Sequence, residues 1–149
     1  MNVIKLRTDI QTFLLTLCDR VYYERATDTS TYPYIVFNLV DSREQEGNRE
    51  DFDLEVDIWD NAQDSTAIET LTGNVDGNGD LFNALYPGEE VYPAELLFAN
   101  EGNGLHRRLF FTDGELSAKC YRDRRLSIID EDVRVRHRQL KYFIQTYLT

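Results

Sequence analysis

Cysteine is scarce in this chain, with only Cys18 and Cys120 among 149 residues. Neither sits in a CxxC or metal-ligand spacing, so a disulfide framework and a thiolate zinc site are both excluded. Cys18 falls on an expected helix and reads as reduced, buried and inert. Histidine is equally rare, with His106 and His137 alone. Arg107 and Arg108 beside His106 disfavour its protonation and the approach of a metal. His137 lies among arginines and reads as a surface or hydrogen-bonding residue. There is no GxSxG elbow, no phosphate-binding or dinucleotide glycine loop, no HExxH and no zinc pattern. Carboxylates occur in pairs, but pairing along a strand face does not make the cleft of opposed carboxyls that glycoside chemistry needs. The expectation is therefore no enzyme, with no catalytic, cofactor-binding or metal-binding residue.

Long apolar runs are missing too. None approaches the ~20 residues of a membrane span, and Lys5, Arg7 and Asp9 interrupt the apolar residues of the N-terminus. The reading is a protein without a signal peptide or membrane partner, made and kept in a cytoplasm. Basic residues are few, 16 against 27 acidic, for a net charge of −11. A surface of that sign argues against autonomous binding to nucleic acid.

What is present is a globular composition, 42% apolar and 12% aromatic. A chain of this length forms one domain, residues 1–149, and buries roughly 70% of its unfolded surface. Charge is unevenly divided. Residues 1–100 hold six of the 16 basic and 20 of the 27 acidic side chains, a balance of −14, and residues 101–149 carry +3. Such asymmetry is satisfied within the fold or between copies of it.

The clearest element runs from Glu50 to Asp60. Phe52, Leu54, Val56 and Ile58 alternate with Asp51, Asp53, Glu55 and Asp57. A period of two puts the apolar side chains on one face of a strand and the carboxylates on the other, with Trp59 expected to cap the core side. Like charges roughly 7 Å apart along one face repel one another, so they want water, cations or a basic neighbour. Either the face is simply solvated or it docks something.

Ahead of this strand, Val3, Leu6, Ile10, Phe13, Leu14 and Leu17 form the stripe of an amphipathic helix over about 3–18. Val21 to Glu24 reads as a short strand, then Arg25 to Thr31 as a polar loop. Pro33 opens a second strand through Val40, and Asp41 to Arg49 reads as a charged hairpin connection turning at Gly47-Asn48. Strands two and three are expected to pair antiparallel. After them, Asp60 reads as an N-cap for a broken helix over about 62–85, interrupted near 74–80 and stopped by Pro87-Gly88. The segment Asn74–Asp80 has the look of a calcium loop but lacks the bidentate glutamate at position 12. Leu96–Phe98, Leu105–Phe111 and Leu116–Cys120 read as short strands, and Arg122 to Arg125 as a loop.

The last long element covers about Asp132 to Tyr147. Arg134, Arg136 and Arg138 alternate with Val133 and Val135, and the apolar parity switches near 137–140, the mark of a bulge or of a strand that changes surroundings midway. The arginine row matches the carboxylate row in sign and period. Neighbouring strands would give cross-strand ion pairs of about 0.2–1 kcal/mol each. Otherwise the rows are candidates to meet between subunits. The fold class is α+β: a mostly antiparallel sheet with both helices packed on one face.

The order of signatures resembles one known family over nearly the whole chain. Helix 3–18 leads to Arg20-Val21-Tyr22 and then to the strand Tyr32-Pro33-Tyr34-Ile35-Val36-Phe37. The strand Leu54-Glu55-Val56-Asp57-Ile58-Trp59-Asp60 runs into the second helix, and the basic strand His137-Arg138-Gln139-Leu140-Lys141-Tyr142-Phe143 closes the chain. This is similar to the tail-terminator (tail-completion) proteins of long-tailed bacteriophages. Residues 74–80 and 86–104 depart from the shortest members of that family.

The resemblance implies a homo-oligomer, a hexameric ring at the virion's tail–head junction, assembled in the host cytoplasm. Its partners would be the tail tube protein and the head-side connector or stopper, with genomic DNA only as passing cargo. It implies no cofactor, metal or catalytic residue. Asp51, Asp53, Glu55, Asp57, Arg134, Arg136 and Arg138 become candidates for a subunit interface or the lumen. Two other readings stand beside it: another neck protein, and a cytoplasmic non-enzymatic binding module using the acidic face. Charge reversal at Arg134, Arg136 and Arg138 is expected to impair ring formation while leaving the monomer folded, as checked by sedimentation and circular dichroism.

Overall fold

A computed structural model describes residues 3–26, 31–45, 49–61, 64–77, 104–112, 116–129 and 134–148. Its elements are α1 (Val3–Leu15), β1 (Val21–Tyr23), β2 (Tyr34–Gln45), β3 (Arg49–Asp60), α2 (Thr66–Asp76), β4 (Arg108–Thr112), β5 (Leu116–Ile128) and β6 (Arg136–Leu148). Among the described residues they form one six-stranded sheet in the order β1-β2-β3-β6-β5-β4. Every pair is antiparallel except β1 with β2, which is parallel. The sheet is therefore mixed rather than wholly antiparallel. The ten-residue connection between β1 and β2 carries the chain back to start β2 alongside β1 in the same direction.

Register explains which residues form the core. Across the sheet, Phe37, Val56 and Leu140 stand in one row, Leu39, Leu54 and Tyr142 in the next, and Phe52, Ile144 and Cys120 in a third. All of these are buried except Leu39, which is partly so. Both helices supply the other side of the same core: Leu6, Ile10, Phe13 and Leu14 from α1, Ile68 and Val75 from α2. The expectation of two helices on one face is met. α1 touches β1 and β4, the outermost strands, so the sheet curls around that helix, and α2 lies over β3 and β6 in the middle.

Several boundaries differ from the sequence reading. α1 stops at Leu15, and tighter bonds from the N–H groups of Thr16 and Leu17 to the carbonyls of Phe13 and Leu14 close its end. Asp41–Gln45 is a continuation of β2, paired with Arg49–Asp53, and not a hairpin connection. Arg122–Arg125 likewise belongs to β5 and not to a loop. β6 starts at Arg136 and runs against β3 through twelve consecutive pairs without a shift, so of the two readings of the parity switch the bulge at 137–140 is ruled out. The bulges lie in β2, between Leu39 and Asp41, and in β5, between Arg122 and Arg124. Ser65, not Asp60, precedes α2, and the first-turn N–H of Thr66 donates to Asp64 Oδ1. The second helical piece at 81–85, the strand at 96–98 and the turn at Gly47-Asn48 lie outside the described residues.

Leu54 is fully buried between Leu39 and Tyr142. Leu54→Ala is expected to cost about 2–5 kcal/mol, because the flanking strands restrict collapse around the lost volume. Urea unfolding at neutral pH checks this.

Candidate assembly surface

The helix-free face of the sheet carries the acidic row, and each of its members has a partner. Arg49 donates from Nε and Nη2 to the two oxygens of Asp51, both at 2.8 Å, over a carboxylate only 3% exposed. That two-pronged geometry is the strongest pairing of the row. Arg43 reaches Asp53 at 3.3 Å and lies over the Phe143 ring. Lys141 meets Glu55 at 3.4 Å across the β3–β6 pair. Asp57 takes His137 Nε2 at 2.7 Å and the Gln139 side-chain amide at 3.0 Å. His137 is thus the hydrogen-bonding residue its setting implied. Its ring stacks on Trp59 at 4.3 Å, and Trp59 in turn stacks on Tyr34 at 5.1 Å. Trp59 therefore lies on the acidic face, one residue past the core-facing Ile58, and does not cap the core.

The arginines go elsewhere. β6 is the direct neighbour of β3, but Arg138 stands opposite Ile58 and Arg136 opposite Asp60. Both have the parity of Leu140 and Tyr142, so they share the helix-bearing face, and the residues facing the acidic row are Gln139, Lys141, Phe143 and Gln145. Arg134 is exposed, ahead of the strand. The two rows are neighbours in sequence order across the sheet yet project to opposite sides.

Arg138 instead anchors α2. Its Nε donates to Glu69 Oε1 at 2.6 Å, and Arg125 from β5 holds the other oxygen. Two helical turns on, the buried Asp76 accepts from Tyr142 OH at 2.9 Å and from Arg122 Nη1 at 2.7 Å. The His106 N–H donates to the Asp76 carbonyl, and the Arg122 N–H donates to His106 Nδ1. Burial is the main force holding His106 below its usual pKa, with Arg107 and Arg122 adding to it. Burial near Asp76 pushes the Cys120 thiol and the Tyr142 hydroxyl upward, so neither ionises at neutral pH. Glu69 and Asp76 are the two anchors that the sequence reading passed over. The available signal was their seven-residue spacing, which puts both on one side of α2. Because Arg138 holds Glu69, reversing its charge would strike the monomer as well as any interface.

A hollow of about 480 Å³ between α1 and β4 is lined by Asp9, Thr12, Phe13, Thr16, Arg108 and Phe110, among others. The Arg108 guanidinium lies 3.9 Å from the centre of the Phe13 ring. Burial raises the Asp9 pKa, partly offset by Lys5. One carboxyl, one guanidinium and two hydroxyls are the polar side chains this wall offers. Among the described residues no cluster of His, Cys, Asp and Glu has the geometry to hold a metal, and no helix is long and apolar enough to cross a membrane.

No protein-family model matches the sequence, and no curated protein matches it. Among solved structures, the fold is similar to a chain from the virion of a native gene transfer agent particle. That likeness covers 97% of this chain and 96% of the other, with a TM-score of 0.54 at 11% identity. It establishes a shared fold along the whole length of both chains.

The Arg138 hydrogen bond, with Arg125 assisting, keeps the Glu69 carboxyl below its ordinary pKa. A depressed carboxyl stabilises the fold above its unfolded value, near ~4.3, and loses that effect as pH falls through its folded value. Glu69→Gln is therefore expected to lower the urea midpoint at pH 7, with the difference closing below pH about 4. Paired urea titrations at neutral and acid pH check it; a gap unchanged in acid would assign the loss to packing instead.

Proposed function

We propose that this chain is a structural virion protein of the tail-terminator type. Copies of it form a ring, six in number, that caps the tail tube, joins it to the head-side connector and lets genomic DNA pass through its lumen. The observation that carries this reading is the likeness in fold, end to end, to a chain of a gene transfer agent virion. Fold alone does not fix function, so the surface matters as well.

The helix-free face is a continuous sheet face whose carboxylates are held in place by neighbours, Asp53 and Glu55 beside a small hollow of about 160 Å³ that Arg124 and Lys141 also line. With its acids matched by neighbouring bases and hydrogen-bond donors, this face has no basic excess to hold a DNA backbone, which suits a channel that duplex must traverse without sticking. The chain is not an enzyme in this reading.

The test uses the purified chain with and without isolated tail tubes, followed by sedimentation velocity and negative-stain imaging. Rings, free or seated on tube ends, and tubes that stop lengthening once capped are the expected result. A chain that stays monomeric and leaves tube ends bare overturns the reading.

A further inference from the structure

Two stretches of the sheet have no described strand on their outer side. β1 covers β2 only over Ile35–Phe37, which leaves residues 38–45 of β2 without one. β4 covers β5 only over Leu116–Cys120, which leaves residues 121–128 of β5 in the same position, with the Arg122 N–H already bonded to His106 Nδ1. Each stretch is as long as an ordinary strand. Residues 40–45 and 122–125 are exposed.

The backbone direction follows from the bonds already made. The Ile35 N–H donates to the Arg20 carbonyl and the Phe37 carbonyl accepts from Glu24 N–H, both on the β1 side. Core-facing residues of β2 thus turn their backbone groups outward. After the bulge at Val40 the core-facing positions are Ser42 and Glu44, opposite Phe52 and Glu50. Their N–H and C=O groups point to the open side.

Charges and bulges on an edge commonly keep copies of a protein apart. That device works when both edges carry the same sign, and here they differ. Residues 38–45 carry Asp41 and Glu44 against Arg43, and residues 121–128 carry Arg122, Arg124 and Arg125 against Asp123; Asp76 matches Arg122 and Glu69 is shared by Arg125 and Arg138, so one positive charge is left over on that side. The contrast extends behind each edge: β2 and β3 hold eight acidic and two basic side chains, while β4, β5 and β6 hold eight basic and one acidic. The partner with a complementary edge of matching length, always present at equal concentration, is a second copy of this chain.

We propose that residues 38–45 of one copy dock along residues 121–128 of the next, strand against strand, so that the sheet continues from subunit to subunit. Contact between two different patches is head-to-tail, and it closes as a ring or runs on as a filament. The inference rests on the ring reading above and supplies the interface for it.

The test leaves Arg122 and Arg125 untouched, since they hold Asp76 and Glu69 within the fold. One variant combines Asp41→Lys with Glu44→Lys, and a second combines Arg124→Glu with Ser127→Glu. A third, Ser42→Pro, removes an outward N–H that β3 does not use. Sedimentation, alone and on tail tubes, reads assembly, and circular dichroism melting reads folding. Each charge variant is expected to need about tenfold more protein to assemble, or worse, since like charges now face each other. An equal mixture of the two should restore assembly, because every lysine edge then meets a glutamate edge. This complementation decides the matter even where Ser42→Pro fails to fold. Charge variants that form rings at the same concentration as the unaltered chain overturn the edge pairing and leave the ring reading standing. Normal rings that no longer capture tubes also overturn it, giving the edge to the tube protein. An unaltered chain that stays monomeric, even with tubes, removes both.

Discussion

Everything in this fold is referred to the pairing of β3 with β6. Twelve consecutive residue pairs join the two strands without a slip. Because side chains alternate strictly, one unbroken register fixes the face of every residue on both strands and, through their neighbours, on β2 and β5. A slip of one residue would drive Leu140, Tyr142 and Ile144 into water and bring Lys141 and Gln145 against α1 and α2. Burial of the first three, all at 1% exposure or less, makes that alternative costly. Sequence separation between paired residues of the two strands runs from 76 to 98, so the contact that decides the fold is among the most distant in the chain.

The same register explains why the charges are distributed as they are. An acidic row on a solvent-facing side can be held by modest partners, and Arg43, Arg49, Lys141 and His137 suffice. An arginine on the core side must run its aliphatic stem along apolar neighbours and bring its head to an acid at the rim. Arg138 does this with Glu69, and Arg122 does it with Asp76. α2 is in effect riveted to the sheet at both ends by these two acids, with Thr72 and Val75 buried between them and Ile68 buried just before. Glycine at 104 belongs to the same clamp: a Cβ there would lie 2.3 Å from the Asp76 carbonyl carbon, so only glycine lets Leu105 and His106 bond back to α2.

How far the sequence was legible follows from which signals survive at an edge. β3 was plain because one face is apolar core and the other is lined by carboxylates with polar partners, so its alternation is clean. Asp41–Gln45 and Arg122–Arg125 carry exposed polar and charged side chains at every position, alternation vanishes, and charged strand looks like loop. The arginine row misled for a different reason. Val133 and Val135 were read as the apolar phase of the strand, whereas β6 begins at Arg136 and takes its phase from Leu140, Tyr142 and Ile144. Arg136 and Arg138 thereby fall on the core side, and periodicity within seven residues could not reveal it. Trp59 shows the limit of composition: a large aromatic was assumed to face the core, yet parity with Asp57 sends it to the other face, where Tyr34 and His137 stack on it.

Net charge and edge charge act at different ranges. The strands together are close to balanced, so the acidic surplus of the chain resides in its helices and connections. At physiological salt, charges farther apart than ~8 Å are largely screened, and the surplus acts only as a mild general repulsion between copies. The edge pairing proposed above would act inside that distance, where backbone bonding and opposite side chains add together, and such a chain would stay dispersed until something held copies close and in register. A circular template such as a tube end would do so, because each added copy then completes two edges at once. Closure would remove the last open edges in the ring, and with them the sheet's capacity to recruit further strands.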